Sequence, residues 1–393
     1  MAVKSFVLLD VDAGVSTGDV SIRPADVPGG ANGYSITKRT LRGGLSDGVD
    51  MIRVDNGTFS FDLLPTRGMG IHKAWLGKTE AANEIGWRSP VRGPVHPQFV
   101  DVGEPSGLGW LDGFDELLVR CGLESNGAPE FDADTGRLKY PLHGRIANKP
   151  ARFVKVDVDG DTGEITVTGV VEEARFHFLK LRLTTTIKTK VGELGFRLHD
   201  EVENISGSPA ESQMLYHINF GEPLLDAGSR FVAPVKTLVP RNARAAEGLA
   251  SWDSYAAPQP GFVEQVYFME LLADAQGQTR TLLKNAHGTR GVSLHFDKRQ
   301  LPYFIVWKNT TSSPDGYVPG VEPSTNFPNP RSFEGEHGRV VKLAPGAKTA
   351  FDLRLEVHGT AAQVDAAEKA VAALKGSSKP SIHNQPQPDW CAP

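Results

Sequence analysis

FHFLKLRLTTTIKT, residues 176–189, alternates apolar and polar side chains through most of its length. Two-residue alternation places one set of side chains on each face of an extended chain. That is the pattern of an antiparallel strand with one face on a core, whereas a helix would repeat every 3.6 residues. Just upstream, RFVKVDVDGDTGEITVTGVVEE (152–173) reads as two more strands joined by a turn at Asp159–Gly163. Earlier still, VDNGTFSFDLL (54–64) sets Asn56-Gly57 between two alternating segments, the strongest short-range signal of a hairpin. GVSLHFD (291–297), YFIVW (303–307) and FDLRLEVHG (351–359) continue the pattern. So many alternating strands share one core most simply as two stacked sheets, so the expected fold is mainly β, an antiparallel two-sheet sandwich.

Helical periodicity of useful length occurs only in TAAQVDAAEKAVAALKG (360–376), where Gly376 stops it. The chain is therefore divided into an N-terminal strand or arm (1–30), a sandwich domain (31–360), and a C-terminal helix and tail (361–393). The tail, SSKPSIHNQPQPDWCAP, is rich in Pro, Ser and Gln and is expected to lack fixed structure unless it docks. An ordered Trp390 would point to docking on a partner subunit, and a homo-oligomer is one expectation.

A hydrophobic fraction of 39%, a charged fraction of 23% and a net charge of −5 describe a globular chain with no broad attraction for nucleic acid. The opening apolar run, Phe6–Leu9, is too short for a signal peptide or a spanning helix, so no membrane partner is expected. Two distant cysteines, Cys121 and Cys391, suit a reduced, cytoplasmic setting and are too few for a structural metal site.

Residues 83–130 break the strand rhythm. They are rich in Gly and Pro and carry Trp87, Arg88, Arg92, His96, Trp110 and Asp115, a mixture suited to lining a cleft. Three other stretches present chemistry. In KYPLHGRIANKPA (139–151), prolines flank His143 and disfavour helix before them, so the imidazole leaves a strand or opens a loop. MLYHINFGEPLL (214–225) carries His217, and GYVPGVEPSTNFP (316–328) carries Glu322. Taken singly, His143 could be a loop histidine bonded to backbone and His217 a satisfied core residue. Glu322, beside an apolar strand end, needs a partner or water. Together, two imidazoles and a carboxylate can move protons near neutral pH without a metal or a nucleophile. A carboxylate can take the proton of a sugar's anomeric hydroxyl while an imidazolium protonates the ring oxygen. The ring opens and can close again in the other configuration.

These stretches resemble the aldose 1-epimerases (galactose mutarotases). LHGRIANKP (142–150) is similar to the Leu-His-Gly segment of that family, YHINFGEPLL (216–225) to the segment bearing its catalytic histidine, and GVEPSTNFPNP (320–330) to the segment bearing its catalytic base. PTRGM (65–69), GLESNG (122–127), HGRIAN, YHINFG and EPSTN (322–326) most resemble a bacterial branch defined as a domain of unknown function, of DUF4432 type. The resemblance spans about residues 35–357 and implies a galactose mutarotase-like fold, an antiparallel β-supersandwich with a short C-terminal helix. Carried over residue by residue, it implies that His217 is the general acid, Glu322 the general base, and His143 a substrate-orienting group. Asn219, Trp87 and Arg145 join the expected substrate-binding set. VRGPVHPQF (91–99) nominates Arg92 as a substrate arginine, and LPTRGMGI (64–71) nominates Arg67.

One departure bears on the substrate. The hexose-phosphate relatives place an arginine three residues after the His-Gly glycine; here Ala147 stands there and Arg145 follows Gly144 directly. A neutral or otherwise modified sugar is expected over a sugar phosphate. The sequence contains no short-spaced metal-binding pair, no phosphate cradle and no Gly-x-Ser-x-Gly elbow, and no cofactor is expected. The expected activity is cofactor-free interconversion of the anomers of a small sugar. Two alternatives are an isomerase or lyase acting on an oxidised sugar and a non-catalytic carbohydrate-binding protein.

Overall fold

Lys180–Lys190 forms a strand whose side chains alternate between buried and partly exposed, as the sequence pattern requires. The computed structural model that contains it describes residues 3–393. The strand begins four residues later than the alternating run suggests. Arg175 N–H closes a turn on Leu179 O at 2.9 Å, and Phe176 and Phe178 sit exposed at its tip. Reversing the chain onto Glu164–Ala174 takes those residues out of the ladder.

Two large sheets build the sandwich, one of ten strands and one of twelve, antiparallel throughout except for one short edge strand of the larger. The middle of the ten-stranded sheet runs Ala151–Asp159, Glu164–Ala174, Lys180–Lys190, Gly195–Asn204 and Lys348–His358. The middle of the other runs Gln265–Leu271, Tyr303–Asn309, Val318–Ser324, Leu215–Asn219, Leu118–Cys121 and Gly70–Leu76. Their inner faces share one apolar core, in which Phe61 of one sheet meets Phe196 of the other at 5.3 Å between ring centroids. The predicted hairpin forms between Asp50–Asp55 and Phe59–Leu64. Gly57 at its turn has φ +91°, and a Cβ there would come within 2.5 Å of Gly33 O, so only glycine fits.

Leu118–Cys121 lies inside the stretch that offered little sign of regular structure, yet it pairs with Leu215–Asn219 near the middle of the twelve-stranded sheet. All four residues are buried, so no alternation betrays the strand. Its Arg120 is tolerated inside because every donor finds an acceptor. Nε and Nη2 reach the two oxygens of Asp200, Nη2 also donates to Thr185 Oγ1, and Nη1 donates to the carbonyls of Gly68 and Met69. Tyr216 completes the network by donating to Asp200 Oδ2 at 2.8 Å. These bonds tie the site-bearing strands of one sheet to Asp200 of the other.

The N-terminal Val3–Asp10 strand pairs with Ala151–Asp159 and extends the ten-stranded sheet. At the other end, the Ala361–Lys375 helix is capped by Thr360, buries Val364, Ala367 and Val371, and stops at Gly376. The tail docks on its own domain. Ser381–Ile382 pairs in parallel with Val235–Pro240, Trp390 stacks on Phe327 at 4.6 Å, and Asn329 bonds both Trp390 O and Ala392 N–H. Among the described residues, no helix is long and apolar enough to cross a membrane.

Candidate active site

Alternation along Leu215–Asn219 decides which side chains meet the core and which meet the site. Tyr216 and Ile218 face the inter-sheet core, while Leu215 packs with the aromatic cluster on the opposite face. That assigns His217 to the opposite face as well. The neighbouring strand is registered with Leu215 opposite Ser324 and Asn219 opposite Gly320, which brings Glu322 directly across from His217. The imidazole Nε2 and carboxyl Oε1 are 3.2 Å apart. Gly320 makes room for them: a Cβ there would sit 2.2 Å from Glu322 Oε1 and 3.2 Å from the His217 ring.

His143 arrives from the 141–145 loop in a left-handed conformation, φ +56°, with Nδ1 2.9 Å from Asn126 O. Its ring stands edge-on to His217 at 5.3 Å between centroids. His143, His217 and Glu322 all line one cavity of about 310 Å³, walled by Trp110, Phe114 and Trp307. His217 and Glu322 are only 5% and 2% exposed, so what exposure they have is to this cavity.

Apolar walls set the protonation states. Burial pushes Glu322 well above the ordinary carboxylate range, and the charge of Glu264 adds to the effect. Burial holds His217 well below its ordinary value; nearby His143 adds to this and the bond to Asn219 opposes it. His143 is depressed to about 4 by burial, against the raising effect of its bond to Asn126 O. The favoured resting state is thus a neutral imidazole facing a protonated carboxyl. The Nε2–Oε1 contact is not aligned as a hydrogen bond, and Oε1 is left buried without a partner, as is the Trp110 indole N–H. Of the ten buried side-chain polar atoms without a hydrogen-bond partner among the described residues, these two belong to residues lining this cavity.

Asn219, predicted as a substrate contact, is fully buried behind the histidine. Its Nδ2 donates to Glu116 O and His217 O, which fixes the amide so that Oδ1 faces His217 Nδ1 at 2.6 Å. An amide oxygen can only accept, so Nδ1 carries the hydrogen and Nε2 is left to face Glu322. Arg67 is corrected in the same way. It is 1% exposed, its Nε donates to Glu116 Oε1 at 2.5 Å, and its other nitrogens are taken by Val95 O, Asn148 Oδ1 and Gly113 O. Trp87 donates its indole N–H to Glu116 O and packs behind Phe114 at 4.8 Å. These three predicted contacts form a supporting layer, because their polar groups are consumed holding Glu116 and His217.

Arg92 and Arg88 are exposed, Arg145 is half-buried near Glu173, and none of the three lines the cavity. His96 accepts the Gln98 N–H locally, and Asp115 pairs with His72 at 2.8 Å. Of the loop residues singled out from sequence, Trp110 alone lines the cavity. Phe114, Arg241, Glu264 and Trp307 line it without having been nominated. Trp307 lies opposite Gly320 in the ladder, a relation that alternation reveals only once register is known. Among the described residues, no group of three or more His, Cys, Asp or Glu is placed to hold a metal ion.

Residues 46–357 match the family model described as a domain of unknown function, DUF4432. A solved structure from Klebsiella pneumoniae that carries a provisional aldose 1-epimerase name is 35% identical. It covers 98% of this chain and 99% of its own, with a TM-score of 0.91. A galactose mutarotase-like protein from Clostridium acetobutylicum is 15% identical over 83% of this chain and 98% of its own, with a TM-score of 0.56. An aldose epimerase homologue from C. elegans is 11% identical over 79% and 99%, with a TM-score of 0.51. The last two establish the galactose mutarotase-like fold. No curated protein matches the chain in sequence.

Proposed function

We propose that this chain, which belongs to the DUF4432 family, interconverts the anomers of a monosaccharide by acid–base catalysis. The observation that carries the reading is the cross-strand pair of His217 and Glu322, 3.2 Å apart, on an aromatic-walled cavity sized for a single ring. A volume of about 310 Å³ is at the lower end of the roughly 300–1,000 Å³ usual for small-molecule sites.

The pair holds one proton between its two members, and the proton count closes. In its ionic form, carboxylate Glu322 takes the anomeric hydroxyl proton while imidazolium His217 protonates the ring oxygen. The C1–ring oxygen bond breaks and the aldehyde forms. The pair is then neutral, the form that burial favours. After rotation about C1–C2 the transfers run backwards and the ring closes with the other configuration. Asn219 keeps the transferable hydrogen on Nε2 by retaining the one on Nδ1. His143, largely unprotonated near neutral pH, offers a ring nitrogen to a sugar hydroxyl. Trp110, Phe114 and Trp307 offer flat faces to the C–H surface of a pyranose and exclude water from the transfer.

Saturation-transfer NMR on an aldose panel tests the proposal. Exchange between α and β signals faster than in the enzyme-free sample supports it. A new product would move the activity to the isomerase or lyase reading. Bound sugar with no accelerated exchange would leave a binding protein.

A further inference from the structure

Arg241 follows the Val235–Pro240 strand and lines the cavity. Among the described residues, no other arginine or lysine does so, and no carboxylate lies within ion-pair distance of it. The most deeply buried arginines are matched, Arg67 with Glu116, Arg120 with Asp200 and Arg339 with Glu334, and the half-buried Arg145, Arg280 and Arg290, which have no ion-pair partner among the described residues, do not line this cavity. A guanidinium kept half-buried on an aromatic-walled cavity without a counter-charge is an acceptor site for an anion.

The second charge at the cavity lies just before the neighbouring strand: the Arg241 backbone N–H donates to Val266 O, and Glu264 is two residues from Val266. Glu264 accepts the Trp307 indole N–H at 2.6 Å, and its field acts on Glu322, whereas that of Arg241 acts on His143. The 235–241 segment is braced from behind by the tail, where the Cys391 thiol points to Pro240 O and Ser381–Ile382 pairs with the strand.

We propose that the substrate is a monosaccharide bearing one carboxylate, a uronic acid, with Arg241 binding the carboxylate beside His143 and the anomeric centre lying at Glu322. The placement of the anomeric centre rests on the reading of the His217–Glu322 pair given above; the anion site does not. A carboxylate fits better than a phosphate. One planar fork matches two coplanar oxygens, while a phosphate dianion would meet a single cation with the Glu264 carboxyl lining the same cavity.

The experiment compares galacturonate and glucuronate with galactose and glucose, and with the hexose 6-phosphates. It measures anomeric exchange and saturation-transfer binding for wild type, Arg241→Met and Arg241→Lys. The expected result is a uronate KM at least about tenfold below that of the parent aldose in wild type. Arg241→Met should bring that ratio down to about one, a loss of roughly tenfold or more, and Arg241→Lys should retain part of it. Retention in the lysine variant also guards against a folding defect in the methionine one. Equal KM for uronate and aldose in wild type, or equal losses for both sugars in Arg241→Met, would overturn the proposal. Preference for the phosphates would overturn the assignment of the anion as carboxylate. If no sugar exchanges faster, binding still decides. Uronate binding lost in Arg241→Met sustains the anion site while the mutarotase reading fails, and uronate bound no better than aldose sinks it.

Discussion

Tyr216 and His217 are neighbours in one strand, and the two faces they serve treat buried polar groups in opposite ways. On the inner face, Tyr216 joins Arg120, Asp200 and Thr185 in a network where every charged atom is bonded. On the outer face, His217 meets Glu322 across a contact that satisfies neither, and the Trp110 N–H is also unpartnered. Desolvation acts on both faces. Only inside is it offset by complementary charge, so the Arg120 guanidinium is held charged there while the outer pair is left neutral and poised to exchange a proton.

The sharpest break between the faces should come at Glu322. Glu322→Gln removes the proton acceptor and should lower turnover by roughly 10²- to 10⁴-fold. Its effect on stability should have the opposite sign. The raised pKa means that the folded state holds a proton the unfolded chain releases above its ordinary value of 4.5, so the residue costs stability as pH rises. The glutamine variant should therefore melt no lower than wild type at pH 7 by calorimetry. A lower melting temperature would mean that Glu322 is a structural group.

Asp200→Ala should do the reverse. Stranding the Arg120 guanidinium should cost about 3–5 kcal/mol in urea unfolding, while turnover per folded molecule changes little. A loss of turnover without a loss of stability would merge the two faces into one functional network.

Gly320→Ala tests how tightly the outer face is built. The added methyl displaces the Glu322 carboxyl, and a misplacement of about 1 Å at a reacting group costs on the order of 10²-fold in turnover. Little change in kcat would show that the carboxyl has room to move.

The smallest effect is expected from pH. Because the His143 pKa falls from 6.5 in its unperturbed state to about 4, the unfolded state binds more protons between those values. Its contribution to stability is present above 6.5 and is lost as pH falls toward 4. Melting temperatures of wild type and His143→Gln should converge across that window if burial sets the shift. Parallel profiles would place the cause elsewhere.

How far the chain could be read in advance follows from the same geometry. Lys180–Lys190 and the Asn56-Gly57 hairpin were legible because each strand has one wet face, and alternation records it. Leu118–Cys121 was not, since both its faces are dry and its arginine is neutralised from the opposite sheet. The same blindness affected the arginines. Arg67 and Arg92 were nominated by motif, yet one is consumed by Glu116 and the other faces water, while the cation on the cavity is Arg241, which no motif marked.

Alternation, turn chemistry and a stop at Gly376 are local properties, and through them the sequence by itself determined a mainly β sandwich with a short helix behind it. Which polar groups end up facing one another depends on register between strands about a hundred residues apart and on what each buried atom finds to bond. That was decided only when the chain closed, setting His217 against Glu322, hiding Asn219 and Arg67 behind them, and leaving Arg241 without a partner.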